Sequence, residues 1–388
     1  MQNMRMQVST PGGQAQWVPL SERAVAEWLA LSLTPMNLIH LFNQHRITIG
    51  KEPESPFAGL NAFWRQQLPK VEPELVARVL RWAAEDETHY LMCQAHPQFP
   101  SLLNDIHSPP RLLYCAGDIR LLEQPMLAVV GSRRASPYGL EQVDAIVGEL
   151  CAHGWGICSG MAMGIDAAAH RRALVAGGKT VAVLGSGIDV CYPPRQRQLY
   201  NDIKQYGVVI SEFYPGAPAK RDHFLRRNRI ISGLSHGVVV AEATLRSGSL
   251  ATANFALEQN RNVYAVPGPV SMASFAGNHQ LIQQGAALIT GAKDILADLP
   301  VLKSASELEV SGASTDIDNV PRGCCEPLAN AELFANVGVQ TTSIDSLVTK
   351  TRLTVAEVMN QLIELELDGW VTAVPGGYVR VRREINDV

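Results

Sequence analysis

Seven short apolar runs dominate the middle of the chain: LAVVGS from Leu127, then GWGICSG, TVAVLGSG, GVVISEF, GVVVAEA, NVYAVPG and AALITG. Each has the length of a buried strand, several end in glycine, and helical segments separate them. Strands covered on both faces read as continuous apolar runs, not as alternating ones. The pattern therefore predicts a parallel sheet with helices on both faces. Ligands of such sheets bind at the carboxyl ends of the strands, where the glycine loops fall.

The flanks differ from this core. Residues 1–19 are polar, carry Pro11-Gly12-Gly13 and read as a loose arm. Residues 21–90 read as helical: Ser21 caps ERAVAEWLALSL, Asn37 caps LIHLFNQH, and Glu72–Trp82, with Pro73 early, has amphipathic spacing. Residues 301–326 lose periodicity, are rich in Ser, Asp and Glu, and read as a flexible linker. Beyond it come the short helix SIDSLVTKT, a longer one over Thr354–Leu367, and a hairpin turning at Pro375-Gly376-Gly377, the order of a winged helix. The expected fold class is α/β: an extended Rossmann-like parallel sheet core with a small N-terminal helical domain and a C-terminal winged helix. The expected boundaries are 1–90 for the arm and a small SAM-like helical domain, 91–300 for the core, 301–326 for the linker and 327–388 for the winged helix.

Between Ala219 and Gly248, positive charge concentrates in a chain whose net charge is -4. Lys220, Arg221, Arg226, Arg227 and Arg229 lie within ten residues, opposed only by Asp222. The run GVVVAEA follows and ends in Arg246-Ser247-Gly248-Ser249. A basic cluster beside a Gly/Ser loop at a helix start suits several phosphates; the plainer reading is a solvated charged loop beside a core strand. Gly131-Ser132-Arg133 offers close backbone approach, a hydroxyl and a guanidinium fork, or simply a tight turn with a surface arginine. Gly160 and Gly164 flank a turn into a helix whose first turn holds Asp166, an acid that suits the helix dipole and can merely cap it. Gly185 and Gly187 form G-x-G without the third glycine of a dinucleotide site; Arg195 and Arg197 follow. Converging at one sheet edge, Arg133, Arg195, Arg221, Arg227 and Arg229 predict a groove for a polyanion.

Several classes are excluded by pattern. There is no G-x-x-x-x-G-K-[ST] loop or H-E-x-x-H, and no strand-to-helix nucleophile elbow or paired-carboxylate motif is evident. His170 and His223 read as structural or polar-surface residues, with little around them to tune a base. The seven cysteines (Cys93, Cys115, Cys151, Cys158, Cys191, Cys324, Cys325) are odd in number and form no C-x-x-C. That argues against a disulfide framework or zinc site and for a reducing, cytoplasmic setting. The N-terminal segment has no apolar leader region, and no run approaches the ~20 residues needed to span a bilayer. No cofactor or metal is expected.

VVGSRRASPYG, SGMAMGIDAAAH, VLGSGIDVCYP, HFLRRNRIISGLSHGVVVAEATLRSGSLATA, VYAVPGPV and HQLIQQGAALI together closely resemble the DNA-processing protein A (DprA/Smf) family. They occur in the family's order over about 127–290, and ELELDGWVTAVPGGYVRV resembles its winged helix. The resemblance implies a single-stranded-DNA-binding homodimer that protects incoming DNA and loads RecA, as in natural transformation. Single-stranded-DNA-binding protein is a further candidate partner, and no membrane is involved. It assigns DNA contact to Gly131, Ser132, Arg133, Gly160, Arg195, Arg221, Arg227, Asn228, Arg229, Ser247, Gly248 and Ser249. It implies a dimer contact at Ile282 and Leu288 and a RecA contact at Leu257 and Gln283. Leu225 stands where the family pattern HFPxRNR has proline. LSLTPMNLIHLFNQH lacks the glycine hairpin of relatives, so the resemblance carries no DNA contact to the N-terminal domain.

Two other functions compete. A nucleoside-monophosphate phosphoribohydrolase shares a related core but carries P-G-G-x-G-T where this chain has LRSGSLATA. A winged-helix transcription factor would need a recognition helix that tolerates phosphates. From Ala331 to Val388 there are eight acids against five bases, and Thr354–Asp368 holds four acids and no Lys or Arg. Such a helix would be repelled from a major groove.

Overall fold

The computed structural model describes residues 5–9, 15–19, 21–35, 38, 56–57, 60–96, 98–299, 333, 336–337, 341–351, 353–367 and 370–380. The arm is not all loose. Arg5–Ser9 (β1) and Ala15–Pro19 (β2) pair antiparallel, which corrects the sequence expectation; Pro and Gly in a sequence are as compatible with paired strands nearby as with a loose end. The Ser21 cap forms, its Oγ accepting from Ala24 N at 3.1 Å, and opens α1 (Glu22–Leu33). Of the helix expected after Asn37, all but Leu38 lies outside the described residues. After α2 (Ala62–Gln67), α3 (Pro73–Glu85) starts on the expected proline and buries Val76, Val79, Trp82 and Ala83. Trp82 stacks on His89 at 4.4 Å and meets Tyr114 edge-on at 5.8 Å. The helical region thus shares a core with the sheet that follows.

That sheet has nine strands: β3 (His89–Cys93), β4 (Leu112–Gly117), β5 (Met126–Gly131), β6 (Gly156–Ser159), β7 (Thr180–Leu184), β8 (Val208–Ser211), β9 (Gly237–Glu242), β10 (Asn262–Ala265) and β11 (Ala287–Leu288). The order is β11-β10-β9-β5-β6-β7-β8-β4-β3. The seven expected strands are all present and parallel. β3 and β4, antiparallel additions at one edge, were not read from sequence. They flank a stretch with Pro97, Pro100, Pro109 and Pro110, which fall in the connection between the two strands, where no ladder amide is lost.

Helices cover both faces, and the strand period divides the core between them. Val130, Val183 and Val240 face Ile230 and Ile231 of α8 and Ala253 and Ala256 of α9. Leu127, Val129 and Val239 face Val143, Ile146 and Val147 of α5 and Ala169 of α6. Those helices are α5 (Pro137–Ala152), α6 (Ile165–Val175), α8 (Arg221–Gly233) and α9 (Gly248–Glu258); α4 (Ser101–Asn104) precedes them, α7 (Arg197–Tyr206) lies between, and α10 (Ala276–Gln283) and α11 (Ala292–Asp298) follow. Each fully buried Val, Leu or Ile contributes about 1.5–3 kcal/mol. From β5 to β8 the chain steps one way across the sheet; β9 returns to the other side of β5. The topological switch therefore lies between β5 and β9, where the strand tips bulge at Val130/Gly131 opposite Glu242.

The chain divides into two compact units, Met1–Ala135 with Gln142–Leu302, and Ser136–Glu141 with Lys303–Val388. In the second, α12 (Ile344–Thr351) and α13 (Val355–Leu367) pack Leu347, Val358, Leu362 and Leu365 on Val371 and Val379. Those valines belong to β12 (Val371–Val374) and β13 (Gly377–Arg380), the expected hairpin. Thr354 and Glu357 close a capping box at the start of α13. The whole is mixed α/β with a winged helix, as the sequence predicted. The linker 301–326 lies outside the described residues.

Candidate nucleic-acid interface

The switch point is where an open parallel sheet takes its ligand, and the sequence-predicted residues gather there at the carboxyl ends of the strands. They divide into a buried frame and an exposed cationic rim.

The frame is stapled by short polar contacts. Ser132 N donates to Glu242 O at 2.7 Å, joining the loops after β5 and β9. Ser249, at the N-terminus of α9, donates from Oγ to Gly131 O at 2.9 Å. Ser247 caps the same helix, accepting from Ser249 N at 3.3 Å. Asn228 Nδ2 reaches Gly248 O at 3.2 Å, tying α8 to that cap. Gly131 faces inward: a Cβ there would fall 2.6 Å from Ile165 Cγ1. Ser132 Oγ accepts from Arg134 N at 3.2 Å, so the hydroxyl shapes the turn.

Two arginines counted as exposed charge in the sequence lie inside this frame. Arg227 is 5% exposed, and its Nη1 donates to Gly160 O (2.6 Å) and Val183 O (2.5 Å). A Cβ at Gly160 would overlap the Arg227 guanidinium, so a larger residue here would displace that side chain. Asp166 is buried beside them and accepts from Gly160 N at 3.2 Å and Ala162 N at 3.4 Å. Burial raises the Asp166 carboxyl above its ordinary range, and Arg227 opposes that rise. Asp166 thus holds the loop after β6 from below. Arg229 donates to Glu212 Oε1 at 2.5 Å, and Arg226 Nε sits 2.9 Å from Glu212 Oε2. Glu212 is 4% exposed and Arg226 50%, so one buried carboxylate anchors two cations of α8.

The rim is exposed. Arg133, Arg195 and Arg221 all face solvent, joined by Arg134, Arg197, Lys220 and Arg246. At its centre is a residue the sequence reading passed over. The Phe224 ring lies 5.8 Å from the Arg133 guanidinium, 5.9 Å from that of Arg227 and 5.4 Å from the Tyr192 ring. Tyr192 is 45% exposed. An aromatic embedded in a basic run (DHFLRRNR) is the signal that would have found it. His223 stacks on Phe213 at 3.9 Å, and His170 is buried with Nδ1 2.7 Å from Thr180 Oγ1. Among the described residues no His/Cys/Asp/Glu group could hold a metal ion, and no helix is long and apolar enough to cross a membrane.

The remaining expectations fall elsewhere. Leu257, 56% exposed, is on α9. Ile282 is half-buried against the core on α10 (Ala276–Gln283), with Gln283 exposed beside it. Leu288, 49% exposed, is on β11, which pairs only with β10 among the described strands. Leu225 is 54% exposed within α8, a helix that begins four residues before it. In α13, Glu357 and Glu364 face solvent with Val355 and Ile363.

Comparison with known proteins adds an independent line. The family model described as DNA recombination-mediator protein A matches residues 90–300, and the DprA winged helix domain matches 327–377. Protein Smf of Escherichia coli (strain K12) is 43% identical over 304 residues, covering 77% of this chain and 79% of that protein. DNA processing protein DprA of Streptococcus pneumoniae (strain ATCC BAA-255 / R6) is 46% identical over 200 residues, 52% of this chain and 71% of the relative. The X-ray structure of DNA processing protein A from Streptococcus pneumoniae aligns with a TM-score of 0.58 at 32% identity, covering 73% of this chain and 99% of that one.

Proposed function

The chain belongs to the DNA recombination-mediator protein A family, and from that premise we propose that its core binds single-stranded DNA across the strand tips and delivers it to RecA. One observation carries the choice of single strands: Phe224, partly exposed between Arg133 and Tyr192. Unpaired bases offer faces for aromatic and guanidinium stacking, worth about 1–3 kcal/mol per base. A duplex hides those faces. The exposed cations supply phosphate contacts without sequence preference.

In this reading the site residues take two roles. Arg133, Arg195 and Arg221 meet phosphates. Gly131, Ser132, Gly160, Arg227, Asn228, Arg229, Ser247, Gly248 and Ser249 position the loops that present them. Leu288 and Ile282 form the homodimer contact, Leu257 and Gln283 meet RecA, and the setting is cytoplasmic. The protein protects incoming DNA and acts by binding rather than catalysis; single-stranded-DNA-binding protein is a further partner. The acidic α13 fits a protein-contact role better than duplex reading. Anisotropy titration of a labelled oligothymidylate tests the core of this. Phe224→Ala and Arg133→Ala should each weaken binding several-fold, Arg133→Ala with melting temperature unchanged; parental affinity in both would refute the site.

A further inference from the structure

The sheet gives the track a length. Neighbouring strands lie about 4.8 Å apart, so the loops from β9 through β5, β6 and β7 to β8 span roughly 19 Å. At the β8 end the cationic row does not stop with the core. The loop after β8 turns at Gly216, whose φ is +83°. Its amide donates to Asp189 Oδ1 at 2.7 Å, and the next residue's carbonyl, Ala217 O, accepts from Gly187 N at 2.8 Å. This turn is therefore bound to the loop after β7 and has a fixed place.

Arg78 of α3 lies directly over it. A Cβ built at Gly216 would fall 3.1 Å from Arg78 Nη1, so the guanidinium packs over a turn whose positive φ favours glycine. Arg78 is 45% exposed. Its ion-pair partner, Glu74 Oε1, is 3.8 Å away and 88% exposed. A pair so long and open is weak, and it leaves most of the guanidinium fork for another acceptor. The chain from Gly216 to Lys220, the first exposed cation before α8, spans at most about 14 Å.

We propose that Arg78 continues the single-stranded DNA track past the parallel strands and onto the N-terminal helical region, gripping one further phosphate. This rests on the core reading above. No motif of the sequence assigns DNA contact to that region; the packing of α3 against the β8 loop supplies it.

Graded oligothymidylates titrated against the full chain at two salt concentrations decide the matter. The penalty of Arg78→Ala should grow with oligonucleotide length, reaching several-fold once the strand exceeds the core loops. The log–log salt slope on the long strand should fall by about 0.7, the value for one phosphate on a single strand. Arg78→Lys should recover most of the loss. Glu74→Gln, which removes the competing carboxylate and leaves Arg78 in place, should tighten the long strand; it decides the question even if Arg78→Ala folds poorly. The penalty of Arg133→Ala should be similar at every length. Parental binding by Arg78→Ala and Glu74→Gln at all lengths, with Arg133→Ala still weakened, overturns the extension alone. An Arg133→Ala variant that binds like the parent removes the core reading itself.

Discussion

Arg133 and Arg227 lie on either side of a distinction that charge alone does not draw, and replacing each by alanine separates them. Arg227 is wholly buried and donates two hydrogen bonds from a charged group, to Gly160 O and Val183 O. Bonds of that kind are worth about 1.5–3 kcal/mol each, so Arg227→Ala should cost about 3–6 kcal/mol. Asp166 would also lose the cation that offsets its burial, which adds to the cost. Against a typical total of about 5–15 kcal/mol this is severe. At about 2–4 °C per kcal/mol, melting should fall by on the order of ten degrees or more. Arg133 faces solvent, so Arg133→Ala should leave melting within about two degrees while DNA binding drops. Urea and thermal melts beside anisotropy titrations read both quantities. An Arg227→Ala protein that melts like the parent and merely binds DNA weakly would refute the buried-frame role.

Three further outcomes follow from the same geometry. Burial pulls His170 down to about 3 and His96 to about 4. Both stay neutral in the folded chain where the unfolded chain takes up protons, so their contribution is complete above about pH 6.5 and is lost as pH falls toward about 4, at up to about 1.4 kcal/mol per unit for each; equal urea midpoints at pH 7.5 and 5 would contradict this. Leu288→Glu on exposed β11 should give a folded monomer by light scattering, whereas Ile282→Glu should also lower stability because Ile282 packs on the core; a folded Leu288→Glu dimer removes the assignment. Leu257→Arg should retain DNA affinity and lose RecA loading, and unchanged loading would remove Leu257 from that surface.

The parallel strands were legible because a strand buried on both faces leaves an unbroken apolar run. β3 and β4 were not, since HYLMC and LLYCAG sit among prolines that turn out to lie between the strands. The loops at the switch point were legible from their glycines and serines, but the division of labour among the arginines was not. For Arg227 the phase of α8 held the missing information. Arg227 shares a stripe with Ile230, Ile231 and Leu234, at i+3, i+4 and i+7, and so is carried inside with them. Arg221 falls off that stripe and stays in water. Arg229 also lies off that stripe and is buried with its partner Glu212. Phe224 was masked by the charges around it, and Arg78 by distance: nothing in PELVARVLRWAAE announces that α3 lies over a turn some 138 residues later.

The central claim is a single-strand track made of phosphate contacts and stacked bases. Its most direct test is the affinity of the full chain for a single-stranded oligonucleotide and for the duplex of the same sequence, each at two salt concentrations. The account predicts tighter binding to the single strand, with a log–log slope of roughly -2 or steeper, as three or more neutralised phosphates require. Equal affinity for the duplex, or single-strand binding indifferent to salt, would contradict it.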